Sequence, residues 1–249
     1  MKNILVKTIL LMTTWTSSQV IAVENESNFG LGIGINIAQS IYKGVDVDTT
    51  LFPYFVYENN NFYISGEEIG YYYFDYSGLK FGIAVRTGTH GYSSNDSNQL
   101  TGMDDRDRAL EFGFKARYNT ILGNLFSNTF VDSGKSHKGF AVDFGWNTDI
   151  PLSNKLSLSP ELSVSYQNSD FTNYYYGVKT SETKLDRAAY NANAGVVKEI
   201  GLNVNYFIDR KQMLIFGASK KTFSTEITKS SIVNGDDALS ARIIYIYWL

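Results

Sequence analysis

The sequence predicts an all-β protein, a closed antiparallel β-barrel that crosses an outer membrane. Three observations carry this prediction: long stretches of alternating apolar and polar residues, a secretory signal at the N-terminus, and no apolar run long enough for a spanning helix. Between Lys155 and Gln167 the leucines, Val164 and Tyr166 occupy even positions, whereas the serines and Glu161 occupy odd positions. Successive side chains of a strand point to opposite faces, so this strand separates an apolar environment from a polar one.

The same alternation recurs in residues 29–38 and 109–118. These runs match the roughly 9 to 11 residues of a tilted membrane strand better than the roughly 5 to 6 residues of a soluble strand. In a membrane barrel the apolar face meets lipid and the polar face meets a wet lumen. We expect the lumenal charges to be paired or hydrated, because burial without a partner is costly. They are Arg86, Glu111, Lys115, Arg117, Asp143, Glu161 and Glu199.

The N-terminus indicates export. Two lysines precede a short apolar run, and a small-x-small motif ends at Ala22. This pattern predicts a cleaved signal peptide over residues 1–22 and an outer-membrane barrel domain over residues 23–249. The apolar run is far shorter than the about 20 residues that a membrane-spanning helix requires.

Composition excludes several classes of function. Without Lys2 and Lys7 the chain keeps 20 of its 22 basic residues against 25 acidic ones, and no basic patch suggests nucleic acid. The absence of cysteine excludes a disulfide scaffold and thiolate metal sites. We therefore expect no cofactor and no metal site.

Loop lengths predict about twelve strands, because bacterial barrels use an even number, with short periplasmic turns and longer outer loops. The weak place is residues 61–74, which must form two short strands joined by a tight turn near Gly66. If this segment is one bent strand, the alternative is a ten-stranded barrel with residues 29–39 outside the wall. The predicted strands are 29–39, 49–57, 61–66, 69–74, 79–88, 108–118, 122–132, 138–149, 155–167, 194–207, 212–222 and 238–249.

Two segments resemble the MipA/OmpV family of outer-membrane proteins, the family of the MltA-interacting protein. The first is the run from Asn173 to Val178, followed by Glu182, Tyr190 and Gly195. The second begins at Asn98, reads N-x-L-x-G-M-x-D-R, and continues from Ala109 as A-L-E-x-G. The order and spacing of these motifs extend the resemblance over nearly all of the exported chain.

The resemblance implies a non-enzymatic barrel in the outer membrane of a Gram-negative bacterium. It implies a scaffold that holds a lytic murein transglycosylase near a murein synthase, in contact with outer-membrane lipid and lipopolysaccharide. A narrow porin-like channel or a surface adhesin is the alternative that the family leaves open.

A lipid-modifying enzyme is a further, weaker alternative, and it depends on His90. A histidine can take the proton of a nearby serine hydroxyl, and Ser93 is the nearest serine in sequence. The spacing of three residues places the two side chains on opposite faces of an extended strand, so a turn is needed to bring them together. A polar loop histidine is the preferred interpretation.

The remaining candidate sites lie in the outer loops. His137 is expected in a solvated loop, where Lys135 and Lys138 could bind lipopolysaccharide phosphates. Asp104, Asp105 and Asp107 suggest a calcium site, but their alternation with arginines favours a self-neutralising loop. For the run Tyr174 to Tyr176, a strand that re-enters the barrel mouth is favoured over a platform for a sugar or a partner.

Overall fold

The structure is a computed structural model that describes residues 29–45 and 47–249. The predicted signal peptide and residues 23–28 lie outside the described residues. Within the described ranges, no helix is long and apolar enough to cross a membrane.

The described chain contains thirteen strand segments, two of which form one interrupted wall strand, so the barrel has twelve strands. The segments are β1 (Phe29–Gln39), β2 (Val47–Glu58), β3 (Phe62–Ser65), β4 (Glu68–Tyr76), β5 (Leu79–Thr87), β6 (Leu110–Thr120), β7 (Gly123–Asp132), β8 (Phe140–Asn147), β9 (Ile150–Ser153), β10 (Leu156–Gln167), β11 (Gly195–Phe207), β12 (Gln212–Phe223) and β13 (Asp237–Trp248). Two short α-helices lie in the described loops, α1 (Ser169–Tyr176) and α2 (Thr225–Thr228), together with one turn of 3-10 helix (Thr180–Glu182).

The sheet closes on itself because β13 pairs with both β12 and β1. Neighbouring strands are antiparallel around the whole ring. The prediction of twelve strands is confirmed, and the ten-stranded alternative is wrong. Residues 29–39 form β1, which lies in the wall between β13 and β2.

One wall strand is interrupted opposite a proline. Both β8 and β9 pair with β10, and Thr148 and Asp149 separate them. Pro160 of β10 lies opposite this break, and a proline has no N–H group to donate to a neighbouring strand. The connection between the predicted strands 138–149 and 155–167 is therefore shorter than expected, because β9 continues the wall as far as Ser153.

The two ends of the barrel differ in the length of their connections. The turn end has short turns, at residues 59–61, 77–78, 121–122, 154–155 and 208–211. At the loop end the connections are longer, except for the turn at Gly66 and Glu67. The first loop there spans residues 40–46, and the others span 88–109, 133–139, 168–194 and 224–236. This asymmetry agrees with the loop lengths predicted from the sequence.

The faces of the wall follow the predicted alternation. Outward residues such as Ile33, Phe114 and Ile200 are exposed, as lipid-facing side chains of an isolated barrel are. Several inward glycines make room for aromatic rings. A Cβ on Gly113 would lie 2.4 Å from the Phe130 ring. The Phe130 ring therefore lies flat against the neighbouring strand at Gly113.

Candidate functional site

Ion pairs fill the lumen on the side of β4, β5 and β6. Lys115 pairs with Glu68, which also accepts a hydrogen bond from the Tyr63 hydroxyl at 2.6 Å. Arg86 donates to Glu111 at 2.7 Å, and its guanidinium lies 3.6 Å from the centre of the Phe130 ring. The expectation that these charges are paired is confirmed for Arg86, Glu111 and Lys115. Glu68 and Tyr63, which complete the network, were not singled out in the sequence.

The opposite side of the lumen is more open. Glu161 and Glu199 are inward residues of β10 and β11, and both are only partly buried. Asp143 of β8 lies 4.0 Å from Arg86, at the border of the ion-pair side. Glu199 lies 4.0 Å from Lys221, and Arg242 donates to Asn203 at 2.9 Å. We call this polar space, between β10 and β2, the chamber.

The turn end of the lumen is closed by an apolar cluster, the turn-end core. It contains Tyr54, Val56, Phe207, Met213, Ile215, Ile244, Ile246 and Trp248. All are inward residues of β2, β11, β12 and β13, so the strands themselves supply this core.

The loop end is closed by loops that pack on one another. We call this cap the lid and define it as the described residues of loops 40–46, 88–109, 168–194 and 224–236. Its core combines Ile41, Tyr42, Tyr92, Leu100, Met103, Phe171, Tyr175, Tyr176, Val178, Ile227, Ile232 and Val233. The inward residues Ala141 and Val197 belong to the same cluster, so the lid sits directly on the lumen.

A buried ion pair joins two loops of the lid. Arg106 donates to both carboxylate oxygens of Glu182, at 2.9 and 3.2 Å, and both side chains are almost fully buried. Burial opposes ionisation of Glu182, but two backbone N–H donors and the guanidinium outweigh it and hold its pKa below the usual range. Arg187, also buried, donates to backbone carbonyls of Glu182, Gln99 and Thr101.

The helix α1 replaces the re-entrant strand that was predicted for the tyrosine run, so that prediction is wrong. Asn168 caps the helix by accepting a hydrogen bond from the Phe171 N–H at 3.2 Å. Gly177 ends the helix, where a Cβ would lie 2.2 Å from the Asn173 carbonyl oxygen. A capping asparagine and a terminal glycine are helix signals that the β-favouring tyrosines obscured. Tyr175 and Tyr176 are buried in the lid core.

His90 and Ser93 do not form a catalytic pair. The His90 ring lies 5.1 Å from the Phe171 ring, and burial lowers its pKa to about 3. The Ser93 hydroxyl donates instead to Asp105, at 3.3 Å. His90 therefore packs under α1, and the hydroxyl that lies at its Nδ1, 3.5 Å away, is that of Thr89.

His137 is buried, so the prediction of a solvated loop histidine is wrong. Lys135 and Lys138 have positive φ angles of 67° and 56°, which fold the loop so that His137 turns inward between them. Its Nδ1 accepts from the Gly139 N–H at 3.0 Å, and its Nε2 lies 3.5 Å from Glu111. Both lysines remain exposed.

The acidic segment at residues 104–107 is held by hydrogen bonds within its own loop and to the loop at residues 168–194. Asp104 pairs with Lys179 at 2.5 Å, and this contact lowers its pKa. Asp105 accepts from the Ser94 N–H at 2.6 Å. Among the residues that the structure describes, no group of three potential metal ligands is present. Lys179 of another loop therefore neutralises Asp104, in addition to the arginines within the segment.

A closed barrel with an apolar outer face and a polar lumen defines an outer-membrane β-barrel protein. The family described as "MltA-interacting protein MipA" matches residues 31–248, and the chain belongs to this family. The two segments that carried the sequence resemblance meet in the lid, where Arg106 of one binds Glu182 of the other.

The chain is also similar to named relatives over most of their length. The chain is 28% identical to the 24 kDa outer membrane protein of Pasteurella multocida (strain Pm70), over 87% of this chain and 89% of that protein. It is 26% identical to the MltA-interacting protein of Escherichia coli (strain K12), over 84% and 85%. It is 28% identical to the outer membrane protein OmpV of Vibrio cholerae serotype O1, over 70% and 71%.

Among solved structures, the NanC porin is similar with a TM-score of 0.50. The match covers 88% of this chain and 100% of that one at 7% sequence identity. At this identity the likeness concerns the fold alone.

Proposed function

We propose that this protein is a non-enzymatic scaffold in the outer membrane that binds a lytic murein transglycosylase at its turn end. A murein synthase is the second partner that the family resemblance implies. The name of the Escherichia coli relative, MltA-interacting protein, supports the first partner.

The observation that carries the proposal is the packing at the two ends of the lumen. The turn-end core lies at one end, the lid lies at the other, and the Lys115–Glu68 and Arg86–Glu111 pairs fill one side of the lumen between them. A solute would have to displace packed side chains of the lid and of the turn-end core to cross. This interior supports an anchoring role over a conducting one.

The turn between β6 and β7 offers a contact for the partner. Ile121 and Leu122 are 101% and 75% exposed there. Trp146 Nε1 donates to the Leu122 carbonyl at 3.0 Å and holds the turn to the next strand. Short turns of outer-membrane barrels face the periplasm, where murein is made and cut. Exposed apolar side chains at such a place are typical of a protein contact.

The test measures binding of the purified transglycosylase to the barrel in lipid nanodiscs. We expect the double variant Ile121→Ser and Leu122→Ser to weaken binding on the order of tenfold, as loss of a few central apolar contacts does. Leu239→Ser is the matched control, because Leu239 is an exposed apolar residue near the loop end. Both variants must keep the heat-modifiable gel mobility of the folded barrel.

Three results would contradict the proposal. Failure of the wild type to bind the transglycosylase removes the scaffold. Equal binding by the turn variant and the control removes the contact at Ile121 and Leu122. Discrete conductance of the wild type in planar-bilayer recordings supports the porin-like channel instead.

The outer surface and the catalytic alternative are tested separately. Lys135 and Lys138 are the residues that we propose to contact lipopolysaccharide phosphates, since both are exposed at the loop end. A charge-removing double variant is expected to lose lipopolysaccharide on purification.

Changed lipid or lipid A profiles on His90→Ala would contradict the non-enzymatic assignment, because the packed ring has no role in chemistry under this proposal.

A further inference from the structure

A groove with a cationic end crosses the outer face of the wall on β8, β10, β11 and β12. Two parallel rows of outward side chains form its sides, and within each row the residues lie directly opposite one another on neighbouring strands. The row nearer the turn end is Trp146, Leu162, Ile200 and Lys220, and the row nearer the loop end is Phe144, Val164, Lys198 and Thr222. The groove has a volume of about 520 Å³, and we call it the wall groove.

The two ends of the wall groove differ in chemistry. One part is apolar, from Leu125 near the turn end of β7 to Ile200 of β11. The other end carries the ammonium groups of Lys198 and Lys220 and the hydroxyl of Thr222, close to the loop ends of β11 and β12. These three side chains are exposed on the face that meets lipid. An occupant must therefore be apolar along most of its length and polar at the end nearer the loops.

Lys198 leaves the cationic end with a net positive charge. In the described part of the chain, Lys198 makes no ion pair. Lys220 pairs with Asp237, and both of these side chains are about half exposed. The nearby acid Glu199 points inward and lies 4.0 Å from the inward Lys221, so it does not neutralise Lys198. Because a charged lysine on the lipid face of a barrel is costly, Lys198 requires an anion of the head-group layer.

The position of the cationic end selects the leaflet. The longer connections of the barrel lie at this end, and such loops of outer-membrane barrels face the cell exterior. The apolar part of the wall groove descends from Lys198 toward Leu125, near the short turns. A lipid whose head group lies on Lys198 therefore directs its acyl chains toward the middle of the bilayer, as a lipid of the outer leaflet does.

The donors at the cationic end favour a phosphate monoester. Lys198 and Thr222 are directly opposite each other on neighbouring strands, and Lys220 lines the same groove. A phosphate monoester carries between one and two negative charges at neutral pH and has three strong acceptor oxygens, so it can contact all three donors. A phosphate diester carries a single charge and has fewer free oxygens.

We propose that the wall groove binds the lipid A part of lipopolysaccharide, an acylated phosphate monoester of the outer leaflet. A phosphate binds the Lys198 ammonium and accepts a hydrogen bond from the Thr222 hydroxyl, and an acyl chain lies along Leu162 and Trp146. This site is separate from the loop contact at residues 135–138 and does not depend on it. Lys198 is also at the other end of the barrel from the transglycosylase contact, so either proposal can fail alone.

Displacement of a quenching lipid tests the site, because Trp146 lies in the wall groove. Without residues 1–22 the chain keeps two tryptophans, and the other, Trp248, is only 6% exposed, in the turn-end core. Strand spacing and rise place the Cα atoms of Trp146 and Lys198 roughly 12 Å apart, within the length of an acyl chain. Phosphatidylcholine with brominated acyl chains quenches Trp146 in vesicles that hold the full exported chain. An unlabelled lipid that enters the groove restores the fluorescence.

We expect lipid A to restore the fluorescence of the wild type at a several-fold lower mole fraction than phosphatidylglycerol does. Lys198→Gln is expected to raise the required fraction of lipid A several-fold. Lys184→Gln is the matched control, because Lys184 is an exposed lysine of the lid. The double variant Lys135→Gln and Lys138→Gln should also behave as the wild type, which separates the wall groove from the loop. All variants must keep the heat-modifiable gel mobility of the folded barrel.

Three results would overturn the inference. Recovery in simple proportion to the mole fraction of added lipid A shows no preference and removes the site. Equal recovery with lipid A and phosphatidylglycerol removes the assigned head group. Equal recovery in the wild type and Lys198→Gln removes the role of Lys198.

Discussion

The two closures of the lumen are built on opposite principles. The turn-end core consists of inward side chains of four strands around the closing seam, and it is apolar apart from the Tyr54 phenol and the Trp248 indole N–H. The lid consists of loops far apart in sequence, and polar bonds hold its aromatic core together. The turn-end core therefore cannot open without unfolding the wall, whereas the lid can open while the wall stays intact.

The largest expected effect is on the lid and comes from Glu182→Gln. Loss of one partner of a buried ion pair leaves the Arg106 charge uncompensated and costs about 3–5 kcal/mol. We expect faster amide exchange and proteolysis in residues 168–194, with unchanged barrel mobility on gels. Asp104→Asn is the control, because the Asp104–Lys179 pair is 68% and 59% exposed, so solvent screens it and its loss changes stability little. Equal effects of the two variants would show that burial of the ion pair is unimportant.

A somewhat smaller effect is expected on the wall from Ile215→Ala. Ile215 is fully buried in the turn-end core, and truncation of a buried isoleucine costs about 2–5 kcal/mol. The free energy of unfolding in urea, measured by tryptophan fluorescence in lipid, should fall by that amount. The control is Ile200→Ala, an outward residue of similar size that is 58% exposed. If the lid alone loosened in Ile215→Ala, the proposed contrast between the two closures would be wrong.

The smallest effect is expected from acid. The pKa of Glu182 is lower in the folded lid than in the open one, so its stabilisation is complete above the unfolded value of about 4.3. Stabilisation is lost as the pH falls through the lower folded pKa, since protonation removes the charge that Arg106 needs. Amide exchange should therefore rise in the lid below about pH 4, while the turn-end core stays protected. Glu182→Gln should show no such acid transition.

The wall was predictable because its signal repeats along the chain. Each strand carries its own alternation, and β10, the clearest case, begins and ends within one residue of the prediction. The short β3–β4 hairpin was the weak place, because the sequence between Asn61 and Phe74 also fits one bent strand. The closed ring decides between a hairpin and one bent strand. Because β1 lies in the wall and pairs on both sides, an even number of strands requires the hairpin.

The lid was less predictable because its contacts join distant segments. Arg106 and Glu182 are 76 residues apart, and no local pattern pairs them. The burial of His137 was not predictable, because it depends on positive φ angles at Lys135 and Lys138, which lysine seldom adopts. The tyrosine run favours strand by propensity, and tertiary packing together with the Asn168 cap overrides it.

Two backbone hydrogen bonds of the lid bear on how the barrel assembles. Lys43 N–H donates to the Ile232 carbonyl, and Asn234 N–H donates to the Ile41 carbonyl. These bonds tie the first loop of the chain to the last one, directly above the place where β1 meets β13. We expect these two hydrogen bonds to form only after β1 and β13 have paired. A lid in which they are intact is therefore a sign that the barrel has closed.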